Sequence, residues 1–139
     1  MDFDVKWTRN LSDIYKYGST ITYKNANQVC FENELLSPGV PIVKWVSNSY
    51  YQKERTLVQL PLLERKKKYY LSTDLQVFPA RSLLIKVTFF NRLGKPIGRK
   101  VFTEKGGEFT YLNEAFSYSI ELVSIGLKKL LFNHLKIWK

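Results

Sequence analysis

Few side chains in this sequence could do covalent or acid–base chemistry. His134 is its one histidine and Cys30 its one cysteine among 139 residues. An intrachain disulfide, a multi-thiolate metal centre and a His-rich one are therefore excluded within the chain. His134 could join a serine and an aspartate in a triad, but there is no Gly-x-Ser-x-Gly elbow and no strand–turn–helix context around a serine. Its place among alternating residues points instead to a solvent-facing or cross-strand role. The carboxylate pairs Glu32 with Glu34 and Glu104 with Glu108 have the chemistry of glycoside hydrolysis, yet their spacing is that of ordinary acids at strand ends and turns. Gly106-Gly107 lacks the lysine and the serine or threonine of a phosphate loop. Cys30, between Val29 and Phe31, reads as a small buried hydrophobe rather than a reactive thiol. The expectation is no enzyme, no cofactor and no metal.

Binding chemistry is better supplied. Nine Phe, nine Tyr and three Trp make 15% of the chain aromatic. Most of these rings must fill a core. Trp45, Tyr50 and Tyr51, however, lie in a segment dense in Ser, Asn, Gln and Lys, and Tyr70 shares its parity with Ser72 and Asp74. Aromatic faces stack on the C–H faces of sugars, while amides and guanidinium groups pair with sugar hydroxyls. Trp45, Tyr50, Tyr51 and Tyr70 are the candidates for the first role, Asn91 and Arg92 for the second. The same chemistry stacks the bases of a single-stranded nucleic acid, and composition does not separate the two. Trp45 fits a core position equally well, and Tyr50–Arg55 a subunit interface. Arg55 can pair with Glu54 or with a partner's carboxylate. Phe90, Tyr70 and Phe132 fall on the wet parities of their strands. Phe90 and Phe132, with Arg55, are the candidates for an apolar and basic partner surface.

Charge reinforces the search for a partner. The 22 Lys+Arg outnumber the 12 Asp+Glu, for a net charge of +10. Residues 1–70 carry 11 basic and 7 acidic groups and residues 71–139 carry 11 and 5, so the excess is spread along the chain. Local concentrations at Arg65-Lys66-Lys67-Lys68, at Arg92, Lys95, Arg99 and Lys100, and at Lys128-Lys129 fit solvated turns and lysine-protected sheet edges. They fit a polyanion or acidic-protein site as well. No stretch approaches the roughly 18 uncharged apolar residues of a spanning helix. The N-terminus, Met1-Asp2-Phe3-Asp4, lacks the basic start of a signal peptide. The expectation is a cytoplasmic protein in which residues 1–139 form one domain.

The elements that must position these residues are strands. Tyr69, Leu71, Thr73, Leu75 and Val77 alternate with Tyr70, Ser72, Asp74 and Gln76, which is the period of a strand with one wet face. Leu83, Ile85, Val87 and Phe89 repeat the pattern, as do Phe116, Tyr118, Ile120 and Leu122. Near the end, Leu131, Leu135 and Ile137 hold one parity and Phe132, His134, Lys136 and Trp138 the other. Shorter β-rich segments lie at 3–8, 19–23, 28–32, 42–46 and 98–103. Glycine, proline and asparagine clusters separate them, and Asn91-Arg92-Leu93-Gly94-Lys95 reads as a hairpin loop with positive φ at Gly94. The best helical candidate, around Leu11 to Tyr17, would make about two turns. About ten short strands at this spacing predict an all-β antiparallel sandwich or jelly roll. Leu71, Leu83, Ile85, Val87, Ile120 and Leu122 are its expected core.

Several blocks of the chain resemble a known family. They are Tyr51-Gln52-x-Glu54-Arg55-Thr56 followed by Leu60-Pro61-Leu62-Leu63-x-Arg65-x-Lys67-x-Tyr69, then Tyr17-Gly18-Ser19, then Phe89-Phe90-Asn91-Arg92 with Gly94, then Gly107-x-Phe109-x-Tyr111 with Glu114-Ala115. Together they look like the small third accessory secretory protein of the bacterial accessory Sec system, from about Tyr17 to Ile137. Lys66 departs from that pattern where a turn glycine is expected, and Leu112 where a proline is expected. The resemblance implies a non-enzymatic β-sandwich similar to carbohydrate-binding modules. It implies work in the cytoplasm of Gram-positive bacteria, in a complex with two larger accessory secretory proteins, with room for self-association. With the accessory Sec motor ATPase, such proteins support export of glycosylated serine-rich-repeat adhesins, and they meet the membrane only through the translocase. An adaptor or chaperone that contacts substrate glycans is thus the preferred expectation, with no nucleic acid as partner. A basic β-domain binding single-stranded nucleic acid is the alternative, and a glycan-active enzyme the third.

Overall fold

Alternating apolar and polar residues commit most of this chain to strands that hide one face. The computed structural model describes residues 2–9, 11, 13–25, 27–47 and 59–139. Its strands are β1 (Asp2–Val5), β2 (Thr20–Asn25), β3 (Gln28–Glu32), β4 (Pro41–Val46), β5 (Lys68–Phe78), β6 (Leu83–Phe90), β7 (Pro96–Thr103), β8 (Gly107–Thr110), β9 (Ser117–Ser124) and β10 (Lys129–Trp138). A six-stranded sheet runs β2-β3-β10-β5-β8 with β1 also on β10, and a four-stranded sheet runs β4-β9-β6-β7. Every pairing is antiparallel. The inner faces of the two sheets enclose the core, as expected of a β-sandwich. The six core residues named from the sequence are all 2% exposed or less.

β10 organises the six-stranded sheet. Its first half pairs with β3, Lys129 opposite Glu32 through Phe132 opposite Val29, and its second half pairs with β1, Leu135 opposite Val5 through Trp138 opposite Asp2. Its other edge runs along β5, where Phe132 lies opposite Leu75 and His134 opposite Asp74. Asn133 is therefore an extra residue, a bulge in the ladder. Because side chains alternate with period two, that one residue inverts the faces on either side of it. Leu130, Phe132, Leu135 and Ile137 are all buried, although 132 and 135 differ in parity. The expected wet parity of Phe132 is corrected on this account.

Aromatic rings fill the interior in two groups. Phe132 stacks on Trp45 at 5.6 Å and meets Trp7 at 5.9 Å, and Trp7 meets Phe31 at 6.0 Å. Phe109 gathers Tyr69, Phe89 and Phe102 within 6.4 Å, and Tyr111 lies against Phe89 and Tyr118. Three of their polar edges are tied off, while the buried Trp7 indole N–H has no partner among the described residues. The Tyr118 hydroxyl donates to the Pro61 carbonyl at 2.7 Å, the Glu64 amide donates to the Tyr69 hydroxyl, and the Trp45 indole donates to the Lys6 carbonyl at 3.0 Å. Burial pushes the Tyr118 hydroxyl far above the usual tyrosine range, so it stays a donor.

The expected helix around Leu11–Tyr17 is absent from the described residues of that segment. Ile14 instead forms a β-bridge with Val43, the Tyr15 amide donates to the Ile42 carbonyl at 2.9 Å, and the Lys44 amide donates to the Asp13 carbonyl at 3.0 Å. A two-turn helix is marginal by itself, and the open edge of β4 offers its backbone better partners. The 91–95 hairpin forms as expected, with φ 82° at Gly94, and the Asn91 carboxamide oxygen accepts from the Leu93 and Lys95 amides at 2.9 and 3.0 Å.

Lys66 takes φ 67°, the left-handed region where a side chain is disfavoured by about 1–2 kcal/mol. Its amide donates to the Tyr111 carbonyl at 2.7 Å and the Tyr111 amide donates to the Lys67 carbonyl at 3.0 Å, which hold the turn in place. Gly106, at φ 80°, lies where an added Cβ would run into the Leu71 carbonyl oxygen. Lys66→Gly is expected to stabilise by about 0.5 kcal/mol, the steric gain being partly offset by glycine's unfolded-state entropy. Gly106→Ala is expected to cost about 2 kcal/mol or more. Urea midpoints measure both, and a Gly106→Ala protein as stable as the parent contradicts the turn geometry.

Candidate functional site

The described residues among those singled out for binding do not form one site. Tyr50, Tyr51 and Arg55 lie outside the described residues. Trp45 is 1% exposed, stacked on Phe132 and hydrogen-bonded to Lys6, so its ring presents no face to a sugar and the core alternative holds. Phe132 is fully buried and cannot contribute to a partner surface as expected. Phe90 is half-buried on the outer parity of β6, opposite Ser117. Asn91 spends its carboxamide oxygen on its own turn, and Arg92 lays its guanidinium over the Phe116 ring at 5.6 Å. Tyr70 belongs to the other sheet.

Around Tyr70 the pairing register builds an aromatic and polar surface. Tyr69 and Leu71 point inward, so Tyr70 points outward from β5, where Trp138 lies opposite it on β10. The two rings stack at 4.5 Å and 24°, and the Trp138 indole N–H donates to the Ser72 hydroxyl at 2.7 Å. On the same rung, Glu108 of β8 flanks Tyr70 and Asp2 of β1 flanks Trp138. Glu108 pairs with Lys68 at 3.1 Å, and that hydrogen bond and charge hold the lysine above its usual range. Further along the face, Lys136 lies between Ser72 and Asp4. His134 faces Asp74 with Nδ1 to Oδ2 at 3.7 Å, Asn133 donates to Asp74 at 3.0 Å, and Gln28 donates to Asn133 at 3.2 Å. This is a shallow platform, with Trp138 36% exposed, bordered by carboxylates, amides and an ammonium group. It can stack an apolar ring face and pair its hydroxyls. Trp138 was not singled out from the sequence. Its shared parity with His134 and Lys136 was the available signal, but its place opposite Tyr70 is a matter of register.

A second surface forms where the loop after Gln59 meets the end of the four-stranded sheet. A groove of about 330 Å³ is lined by Pro61, Leu62, Leu63, Arg65, Ala115 and Phe116, among others. Arg65 donates from Nε to the Ala115 carbonyl at 3.2 Å, and Leu62 at its rim is 90% exposed. Leu62, Phe116 and Leu93 beside Arg65 and Arg92 supply the apolar and basic character expected of a partner surface, from residues other than those named for it. Among the described residues, no group of three or more His, Cys, Asp or Glu could hold a metal ion. Among those residues, too, no helix is long and apolar enough to cross a membrane. Cys30 is buried as expected, its thiol 3.9 Å from a Glu32 oxygen.

The two-sheet antiparallel arrangement defines a β-sandwich, and solved structures bear out the architecture. The carbohydrate-binding-module and xylanase chain of Clostridium thermocellum, solved with xylohexaose, superposes with a TM-score of 0.57 at 10% identity, covering 100% of this chain and 29% of that one, a likeness of fold alone. The family model described as "Accessory Sec secretory system ASP3" matches residues 14–139, and the chain belongs to that family. An accessory Sec system protein of the family from Streptococcus gordonii is 38% identical over 123 residues, 88% of this chain and 77% of its own length. Its Staphylococcus aureus counterpart is 28% identical over 97% of this chain, which spans 42% of that protein. A chain in the crystal structure of accessory secretory proteins 1, 2 and 3 of Streptococcus pneumoniae superposes with a TM-score of 0.90 at 36% identity, covering 97% of this chain and 94% of that one. One in a glycosylation-associated protein complex of Streptococcus agalactiae gives 0.88 at 28%, covering 99% and 44%.

Trp45→Ala is expected to lower stability by about 3–5 kcal/mol, as large aromatic truncations in a core do. Trp138→Ala should cost only about 1 kcal/mol or less, the scale of one cross-strand pair. Guanidinium unfolding of the two variants separates these roles, and equal losses would contradict the placement of the two rings.

Proposed function

We propose that this chain is a non-enzymatic adaptor subunit of an accessory Sec complex, assembling in the cytoplasm with two larger accessory secretory proteins. The observation that carries the proposal is its close superposition, across nearly its whole length, on a chain of the S. pneumoniae structure of accessory secretory proteins 1, 2 and 3. The complex acts with the accessory motor ATPase in export of glycosylated serine-rich-repeat adhesins, and it reaches the membrane through the translocase. The Leu62, Phe116 and Arg92 surface is suited to a protein partner, because it joins exposed apolar area to cations. The thin supply of acid–base groups supports a role in holding rather than converting.

Within that role, the Tyr70–Trp138 platform contacts substrate sugars. One shallow platform gives weak affinity for one sugar, and a repeat chain bearing many sugars raises it through multivalency. Co-expression with the two larger proteins, followed by size-exclusion chromatography with light scattering, is expected to give one co-eluting species at low micromolar concentration. Independent elution at moderate salt contradicts the adaptor assignment.

A glycosylated repeat fragment is expected to bind the assembled complex more tightly than the same fragment without sugars. Tyr70→Ala and Trp138→Ala should each weaken that binding about 5–10-fold, the range of one aromatic contact, with the fold and assembly preserved. Equal binding of the two fragments removes the sugar contact while leaving the adaptor role untouched.

A further inference from the structure

β7 is an edge of the four-stranded sheet, with no strand on its outer side among the described residues. Of its eight residues only Phe102 is buried, while Val101 is 48% and Ile97 36% exposed. Edges are ordinarily blunted by charged side chains, lysine above all, and by proline, bulges or short length, and on β7 Arg99 and Lys100 guard against a neutral or basic strand. Here Pro96 stands at the first position and the one irregularity falls at Ile97, where Phe89 pairs with Gly98 and Phe90 with Pro96. From Gly98 to Thr103 the ladder is regular and free of proline. In such a ladder alternate residues aim their N–H and C=O groups away from the partner strand. Outside its pairing with β6, the one β7 backbone group with a backbone partner among the described residues is the Thr103 carbonyl, which accepts from the Gly106 amide at 3.0 Å. A groove of about 660 Å³ runs beside the edge toward β8, lined by Ile97, Arg99, Lys100, Glu108, Thr110 and Leu112, among others.

The charge on this edge selects its occupant. Lys95, Arg99, Lys100 and Lys105 lie along or just beside β7, and none of them has an ion-pair partner among the described residues. A second copy of β7 laid antiparallel on the first would set these cations against one another, so self-pairing is disfavoured. A single-stranded nucleic acid would find no stacking surface, because the aromatic rings of the groove, Phe89 and Phe109, are buried. We propose that the β7 edge binds an extended acidic polypeptide segment by strand addition. The free amides and carbonyls supply the ladder; on the outer face the partner's carboxylates meet Arg99, and on the opposite face its apolar side chains enter the groove beside Lys100. The site shares Glu108 alone with the rim of the Tyr70–Trp138 platform and no residue with the groove at Leu62, and its test is independent of both.

The probe is a synthetic peptide of alternating Glu and Val, long enough to span β7, titrated against the full chain. Its Lys and Val counterpart and an oligothymidylate serve as comparisons. The acidic peptide is expected to bind and to protect β7 amides from hydrogen exchange, while the lysine peptide does not. Arg99→Glu combined with Lys100→Glu should weaken the acidic peptide at least tenfold and turn the preference toward the lysine peptide, with the melting temperature preserved. N-methylating alternate residues of the peptide should abolish binding in one phase and spare it in the other, which a purely ionic attachment would not do. Absence of binding by the acidic peptide, indifference to N-methylation in both phases, or displacement by tighter-binding oligothymidylate would each overturn the proposal.

Discussion

Asn133 has no counterpart on β5, and the arrangement of this protein's interior and surface depends on that one unmatched residue. Among the described strands β10 alone is held along its two edges by three others, so a register change within it is transmitted to β1, β3 and β5 together. Before the bulge, even-numbered residues of β10 face the core; after it, odd-numbered ones do. Phe132 can then seat itself between Trp45 and Trp7, while Trp138 emerges beside Tyr70. Without the extra residue the same strand would bury His134 and Lys136 or expose Phe132, and either is costly.

The interior that results is rich in rings whose polar edges must be satisfied. The hydroxyls of Tyr69 and Tyr118 and the indole of Trp45 all join a backbone group of a loop or of the segment after β1. These bonds fasten the irregular segments onto the sandwich, because a buried donor left without a partner is penalised more than a made bond is rewarded. The loop at Pro61–Arg65 is placed in this way, and it carries Leu62 and Arg65 to the surface beside Phe116. Core satisfaction and surface chemistry are thus linked through the same few atoms.

Among the described residues the exterior offers several shallow surfaces. The outer face of the six-stranded sheet presents stacked rings among polar groups, the end of the other sheet presents apolar side chains among cations, and β7 presents unpaired backbone. Such a distribution suits a protein that engages several partners or a long flexible one, since many modest contacts combine through effective concentration. Membership in an accessory Sec family fits that physical character.

Period-two alternation and turn chemistry are local properties, and they made the sandwich, its six expected core residues and the Gly94 hairpin legible in the sequence. At Lys66 the glycine was implied by the family resemblance and not by local pattern, and the φ of 67° agrees with it. The status of Cys30 as a buried hydrophobe followed from its neighbours. The sites were much less legible. Trp45 stands beside a polar segment, yet β9 and Phe132 enclose it. Phe132 shares its parity with charged residues, yet a bulge that no local pattern announces turns it inward. The segment around Ile14 has weak helical character, and the open edge of β4 captured it. Trp138 gained its importance from standing opposite Tyr70, 68 positions away in the chain. Residue type and spacing determine which side chains alternate; which face is wet, and which ring meets which, depends on register between distant strands, and only the folded sheet sets that register.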